Sequence, residues 1–171
     1  RAHYAWAIED VSNEPHPMHN NEFNKGLDEY TCEISRLFKA EGWIYAGNLF
    51  SVGWPDVGKA NQSKASMTEL AKNGHLWGPH EYNNPVCQVM GTDGKPYWMG
   101  RIGMTVKELR QAGASIPSIY IGECGVDCGV STPECENPPG KGVVATKGWQ
   151  YLSTDHQAYF DQLIWYDDVL A

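Results

Sequence analysis

Four times in succession a short apolar run gives way to a stretch with helical spacing, and this alternation constrains the fold more than any other property of the chain. The runs Tyr4 to Val11, Trp43 to Phe50, His75 to Tyr82 and Ser118 to Glu123 read as strands, being short, rich in aromatic and β-branched residues and bounded by Gly, Pro or Asn. Asn21 to Ala40 carries Phe23, Leu27, Tyr30, Ile34, Leu37 and Phe38 at helical spacing and closes at Gly42. A weaker helical stretch lies around Ser66 to Lys72, another runs from Thr105 to Ala112 and ends at Gly113, and Asp155 to Leu170 completes the series. Strand-helix alternation specifies an α/β fold with a parallel sheet and right-handed crossovers. Four units do not close an eight-stranded barrel, which typically takes about 250 residues. The pattern therefore leaves a smaller open sheet, or part of a barrel whose remaining strands lie outside this sequence.

With 171 residues, 42% hydrophobic and 12% aromatic, the chain has the material for one substantial core. A formal charge of −8 argues against a nucleic-acid surface, because such surfaces concentrate Lys and Arg to displace counterions. No run approaches the roughly 20 apolar residues that cross a bilayer. No signal-peptide pattern is present, and a first residue of Arg1 is expected of a processed or partial product. Of the five cysteines, Cys32, Cys87, Cys124, Cys128 and Cys135, the pair Cys128 and Cys135 brackets a loop that a disulfide would staple. That points to an extracellular or otherwise oxidising compartment. The rival reading, a zinc site, lacks paired CxxC knuckles.

Chemistry enters with two glutamates at strand ends. Asn13-Glu14-Pro15 directly follows the first strand, and Glu123 closes the fourth. In a parallel sheet the strand ends form the rim where βα loops build active sites, so glutamates remote in sequence can meet there. His80-Glu81-Tyr82 ends the third strand. Because successive strand residues face opposite ways, Glu81 is expected on the face away from Tyr82, as a supporting or surface carboxylate.

This ordered set resembles the superfamily of retaining glycoside hydrolases built on (β/α)8 barrels, in which the Glu of Asn-Glu-Pro ends strand four and a second Glu ends strand seven. The resemblance covers nearly the whole chain and implies that it supplies strands four to seven of a TIM barrel, about four βα units forming a single catalytic segment. It implies Glu14 as acid/base, Glu123 as nucleophile, Tyr82 as a hydrogen-bond donor to the nucleophile, and Asn13 as the side chain that grips a sugar 2-hydroxyl. No metal or organic cofactor is implied. The substrate would be a β-linked poly- or oligosaccharide, with self-assembly or a missing segment completing the barrel.

The residue types suit that chemistry. A retaining mechanism takes one carboxylate as nucleophile and one carboxylic acid as proton donor, about 5 to 5.5 Å apart, through a covalent glycosyl-enzyme. Each environment must hold the two pKa values apart. His80 is placed to contact sugar or to orient a carboxylate, against the plainer reading of a structural histidine. Trp54, Trp98 and Trp149 fall in loops where an indole can stack on a pyranose, whereas Trp6, Trp43, Trp77 and Trp165 fit strand or helix interiors. A metal held by His16 and His19 would need a helical pair that their spacing does not give. A thiol enzyme built on Cys124 and His80 has no oxyanion element. The rival from another class is a noncatalytic carbohydrate-binding or structural protein that keeps the barrel-derived fold. Whether sugar binding persists without hydrolysis separates the two.

Overall fold

The computed structural model describes residues 7–10, 14–15, 21–51, 53–83, 100–126 and 156–170. The chain divides into two compact units, Arg1–His80 with Ile102–Gly122, and Glu81–Arg101 with Glu123–Ala171.

The first unit holds a four-stranded parallel sheet of β1 (Ala7–Glu9), β2 (Ile44–Gly47), β3 (Leu76–Trp77) and β5 (Ser118–Ile119), in that order. Strand order follows chain order. With right-handed crossovers, a sheet that grows in one direction places all its helices on one face. The contacts agree. Register pairs Ile8 with Tyr45 and Gly47 with Trp77, so these residues share a face, and against it lie α1 (Asn21–Ala40), α2 (Lys64–Asn73) and α3 (Arg101–Gln111). Tyr45 meets the Phe38 ring of α1 at 5.0 Å between centroids. Trp77 packs with Met67 of α2, Ile102 and Leu109 of α3, and Phe50 and Ala60 of the intervening loop. The opposite face presents Glu9, Ala46, Leu76 and Ser118 in one row across the four strands.

Helix α1 follows the expected bounds, and only part of its apolar set turns inward, Leu27 to the core cluster and Phe38 to Tyr45. Its buried residues are Asn24, Thr31, Cys32 and Ser35, while Phe23, Tyr30 and Leu37 are exposed. Small and polar side chains let α1 approach the sheet closely. A Cβ built on Gly47 would stand 3.1 Å from Thr31 Cγ2 and 2.6 Å from the Tyr45 ring, so the tyrosine lies over a residue that must lack a side chain. Most of the polar atoms so buried are partnered, with Asn24 Oδ1 an exception. Thr31 Oγ1 donates to Asn48 Oδ1 at 3.2 Å, Asn48 Nδ2 donates to Ser66 Oγ at 2.9 Å, and Ser66 Oγ donates to the Ser63 carbonyl. Ser66 N donates to Asp28 Oδ1 at 2.8 Å, so a carboxylate from α1 satisfies one of the open amides in the first turn of α2. Helix α2 ends at Gly74, whose left-handed φ of 74° lets His75 N bond back to the Leu70 carbonyl.

The run His75 to Tyr82 forms two strands, not one, because Gly78-Pro79 interrupts it: proline has no N–H for the ladder. Ser118 to Glu123 divides likewise, into β5 and the start of β6 (Glu123–Val126). Trp77 is 1% exposed as expected of core, but Trp43 is 53% exposed. It stands just before β2 and, with Ile8, Leu37, Phe38 and Glu41, lines an open apolar groove at the β1 edge.

In the second unit, β4 (His80–Asn83) pairs with β6, and α4 spans His156–Leu170. Glu81 is 2% exposed, accepting hydrogen bonds from Tyr166 Oη of α4 and from Gly100 N. It is thus a buried structural carboxylate and not a surface one.

Candidate functional site

The sequence after each strand positions the groups of interest. β2 ends in Gly47-Asn48-Leu49-Phe50, where Asn48 takes a left-handed φ of 53° and is fixed by Thr31 and Ser66. The turn directs two carbonyls outward in sequence. The Leu49 carbonyl accepts from Glu14 N at 3.1 Å and the Phe50 carbonyl from His80 N at 2.9 Å. The segments following β1 and β3 are thereby tied to the end of β2, and their side chains meet above it: His80 Nδ1 lies 2.9 Å from Glu14 Oε1.

Within that pair the histidine side chain is 3% exposed and the glutamate 40%. A buried ring thus holds a carboxylate whose remaining surface is open to solvent. Glu14 adopts a φ of 47°, a left-handed conformation that costs a non-glycine residue on the order of 1–2 kcal/mol. Such backbone persists where surrounding bonds enforce it, and it recurs at functional sites. Here the Leu49 carbonyl and His80 enforce it.

Two further carboxylates stand at the end of β1, on opposite faces. Asp10, 8% exposed, accepts from Tyr45 Oη at 2.5 Å and from Tyr30 Oη at 3.1 Å on the helix side. Burial first, then the hydrogen bond and charge of Asp10, push the Tyr45 hydroxyl well above the usual tyrosine range. Asp10 is therefore a structural anchor. Glu9 projects to the other face and is exposed. An alternating strand gives this separation, but a charged residue in a short strand reads simply as surface, and neither residue was singled out by pattern.

Glu123 opens β6 in the second unit and is exposed. Beside it, partial burial and then the Glu81 charge push the Cys124 thiol up to about 11, away from the thiolate a cysteine nucleophile needs. Cys32 and Cys124 are free thiols, while Cys128 and Cys135 lie outside the described residues. So do Asn13, His16, His19, Trp98 and Trp149. Tyr82 falls within β4, one residue from the buried Glu81. Trp54 sits in the loop after β2, packed in part against the core cluster, and lines a small polar recess with Asn21, Asn24, Asp56, Lys59 and Gln62.

Among the described residues no helix is long and apolar enough to cross a membrane. Comparison of the chain with protein-family models, with curated proteins and with solved structures gives no match.

Proposed function

We propose that this chain is a retaining glycoside hydrolase of the (β/α)8 kind, cleaving a β-linked poly- or oligosaccharide, with Glu14 as acid/base and Glu123 as nucleophile. The observation that carries the reading is the Glu14–His80 pair above the carboxyl end of β2, a half-exposed carboxylate gripped by a buried imidazole. Two features of the sheet support the barrel: strand order equals chain order, and the helices of the first unit pack on one face. A doubly wound sheet would reverse its order at a switch point and carry helices on both faces. The corresponding strands are four to seven.

On this reading His80 has a defined task. When its Nδ1–H donates to Glu14 Oε1, the other carboxyl oxygen is left to carry the proton toward the glycosidic oxygen. After that proton has left and Glu123 holds the glycosyl group, the same hydrogen bond supports the Glu14 carboxylate as it draws a proton from water. His80 is thus a positioning residue and Glu14 serves both steps. Glu14→Gln and Glu123→Gln, assayed on aryl β-glycosides and β-linked oligosaccharides, test the reading. Turnover is expected to fall at least about 1,000-fold in Glu123→Gln, within the range that loss of a central catalytic group produces. Full activity in either variant, or hydrolysis with inverted anomeric configuration, contradicts it.

A further inference from the structure

A recess of about 40 Å³ lies between the start of α1 and the loop that follows β2, lined by Asn21, Asn24, Trp54, Asp56, Lys59 and Gln62. Both of its walls belong to consecutive strand-helix units of the described chain, so further strands of a barrel would not fill it. The loop wall is held in place. Lys59 N donates to the Asp56 carbonyl at 2.9 Å, and the Glu108 carboxylate of α3 accepts from Gly58 N at 2.8 Å and from Ala60 N at 3.3 Å. Three amides link the two walls in a chain: Asn24 Nδ2 donates to Gln62 Oε1 at 2.6 Å, and Gln62 Nε2 donates to Asn21 Oδ1 at 2.9 Å. That chain employs only one side of the Asn24 amide. Asn24 is 7% exposed, and its Oδ1 finds no hydrogen-bond partner among the described residues. A buried amide oxygen in this state is costly, and folded proteins commonly answer it with a bound donor or ion.

We propose that this recess binds a hard cation of calcium's kind, with Asn24 Oδ1 and the Asp56 carboxylate as protein ligands and water completing the shell. Acceptors dominate the lining. Besides those two groups, Gln62 Oε1 and Asn21 Oδ1 each keep a second lone pair. No histidine or cysteine lines the recess, so the donor set suits a hard cation and not zinc or copper. A water takes about 10–15 Å³ of such volume. The recess therefore admits an ion with one or two waters and is too small for a sugar ring or a nucleotide. Ca²⁺ accepts an irregular set of about six to eight oxygens, whereas Mg²⁺ demands a near-ideal octahedron. Glu22 in the first turn of α1 offsets the positive end of that helix. Lys59 opposes the ion, but it is exposed and its flexible stem lets the ammonium turn to solvent. One carboxylate and an opposing lysine place the affinity at the weak end of calcium sites, a Kd of about 10⁻⁴–10⁻³ M. The ion would tie the start of α1 to the loop after β2, and the inference is independent of the glycosidase reading.

The test is thermal unfolding and calorimetric titration of the intact chain, stripped with EDTA, against CaCl₂, with MgCl₂ and NaCl at matched ionic strength as controls. A ligand that binds only the folded state raises the unfolding midpoint as its concentration rises. Ca²⁺ is expected to raise it and the controls to leave it in place. Asn24→Leu, which removes the buried acceptor, should weaken Ca²⁺ by about tenfold or more, and Lys59→Gln, which removes the opposing charge, should tighten it at least about threefold. Tb³⁺, which takes oxygen ligands as Ca²⁺ does, should luminesce on indole excitation in the parent and lose most of that signal in Trp54→Phe. A midpoint that ignores Ca²⁺, or answers Mg²⁺ and Na⁺ equally, overturns the proposal. Unchanged Ca²⁺ affinity in Asn24→Leu does so too. Should that variant not fold, unchanged affinity in Lys59→Gln, whose side chain is exposed, overturns it instead.

Discussion

Gly78→Ala is a small change with a large expected effect. A Cβ at residue 78 would stand 2.3 Å from Leu49 Cδ2, where carbon atoms prefer about 3.5–4.0 Å. Leu49 is 2% exposed, so its side chain has no solvent to swing into. Overpacking of this kind typically costs about 1–3 kcal/mol. The next nearest atoms, Ala46 Cβ at 3.7 Å and Leu49 Cγ at 3.8 Å, are at ordinary contact, so a single methyl group is responsible. Removing that methyl should remove the penalty. Leu49→Ala alone leaves a cavity and costs about 2–5 kcal/mol, but in its background Gly78→Ala should cost under about 0.5 kcal/mol, a coupling of at least about 0.5 kcal/mol between touching residues. Urea unfolding followed by tryptophan fluorescence on the four corners of this cycle measures it, with m held constant. Strict additivity, or a Gly78→Ala cost below about 0.5 kcal/mol in the parent, would refute the packing argument. The same contact matters to the site because the Leu49 carbonyl holds Glu14 N.

Four other outcomes are expected. Burial raises the Asp28 carboxyl above its ordinary value despite its hydrogen bonds from Ser66; an acid with a raised folded pKa contributes stability that is present below its unfolded pKa and lost as pH rises through the folded one. Asp28→Asn keeps the acceptor for Ser66 N, so it should remove that decline, seen as a flatter urea midpoint as pH rises above the ordinary carboxylate value of about 4. Cys124, held up to about 11 by burial and then by Glu81, should alkylate with iodoacetamide at pH 7.5 roughly 100-fold more slowly than a free cysteine; reaction at the free rate would contradict the stated environment. Asn48→Ala leaves the Thr31 and Ser66 hydroxyls without their shared partner and should destabilise by about 1–3 kcal/mol, read by thermal unfolding. Trp43→Lys removes an indole that is 53% exposed from the apolar β1 edge; it should lower concentration-dependent association in analytical ultracentrifugation while changing stability by less than about 0.5 kcal/mol.

How much of this was legible in the sequence depends on the physical signal behind each element. Asn21–Ala40 was read to its ends because twenty residues of helical spacing closed by Gly42 admit no other local structure. The face it buries was legible only in part, since Leu27 and Phe38 turn inward while Phe23, Tyr30 and Leu37 advertise a core that close packing gives instead to Asn24, Thr31 and Ser35. Helix α3 begins at Arg101, four residues before the periodic stretch from Thr105, because Gly103 masks the pattern while Ile102 and Leu109 still align on the core side. At the site, Glu14 and His80 were visible as strand-end residues, and the structure brings them together. Glu9 and Asn48 were not visible. A glutamate in a strand and an asparagine in a turn carry no signal until the register shows which face one occupies and which hydroxyls hold the other.

Peptide mass spectrometry after incubation with mechanism-based 2-fluoroglycosides of gluco, manno, galacto and xylo configuration tests the central claim most directly, because the slowed second step traps the glycosyl-enzyme. The account predicts a covalent adduct on the peptide containing Glu123 for at least one sugar, absent from Glu123→Gln. An adduct on another residue, or one that persists in Glu123→Gln, would contradict it.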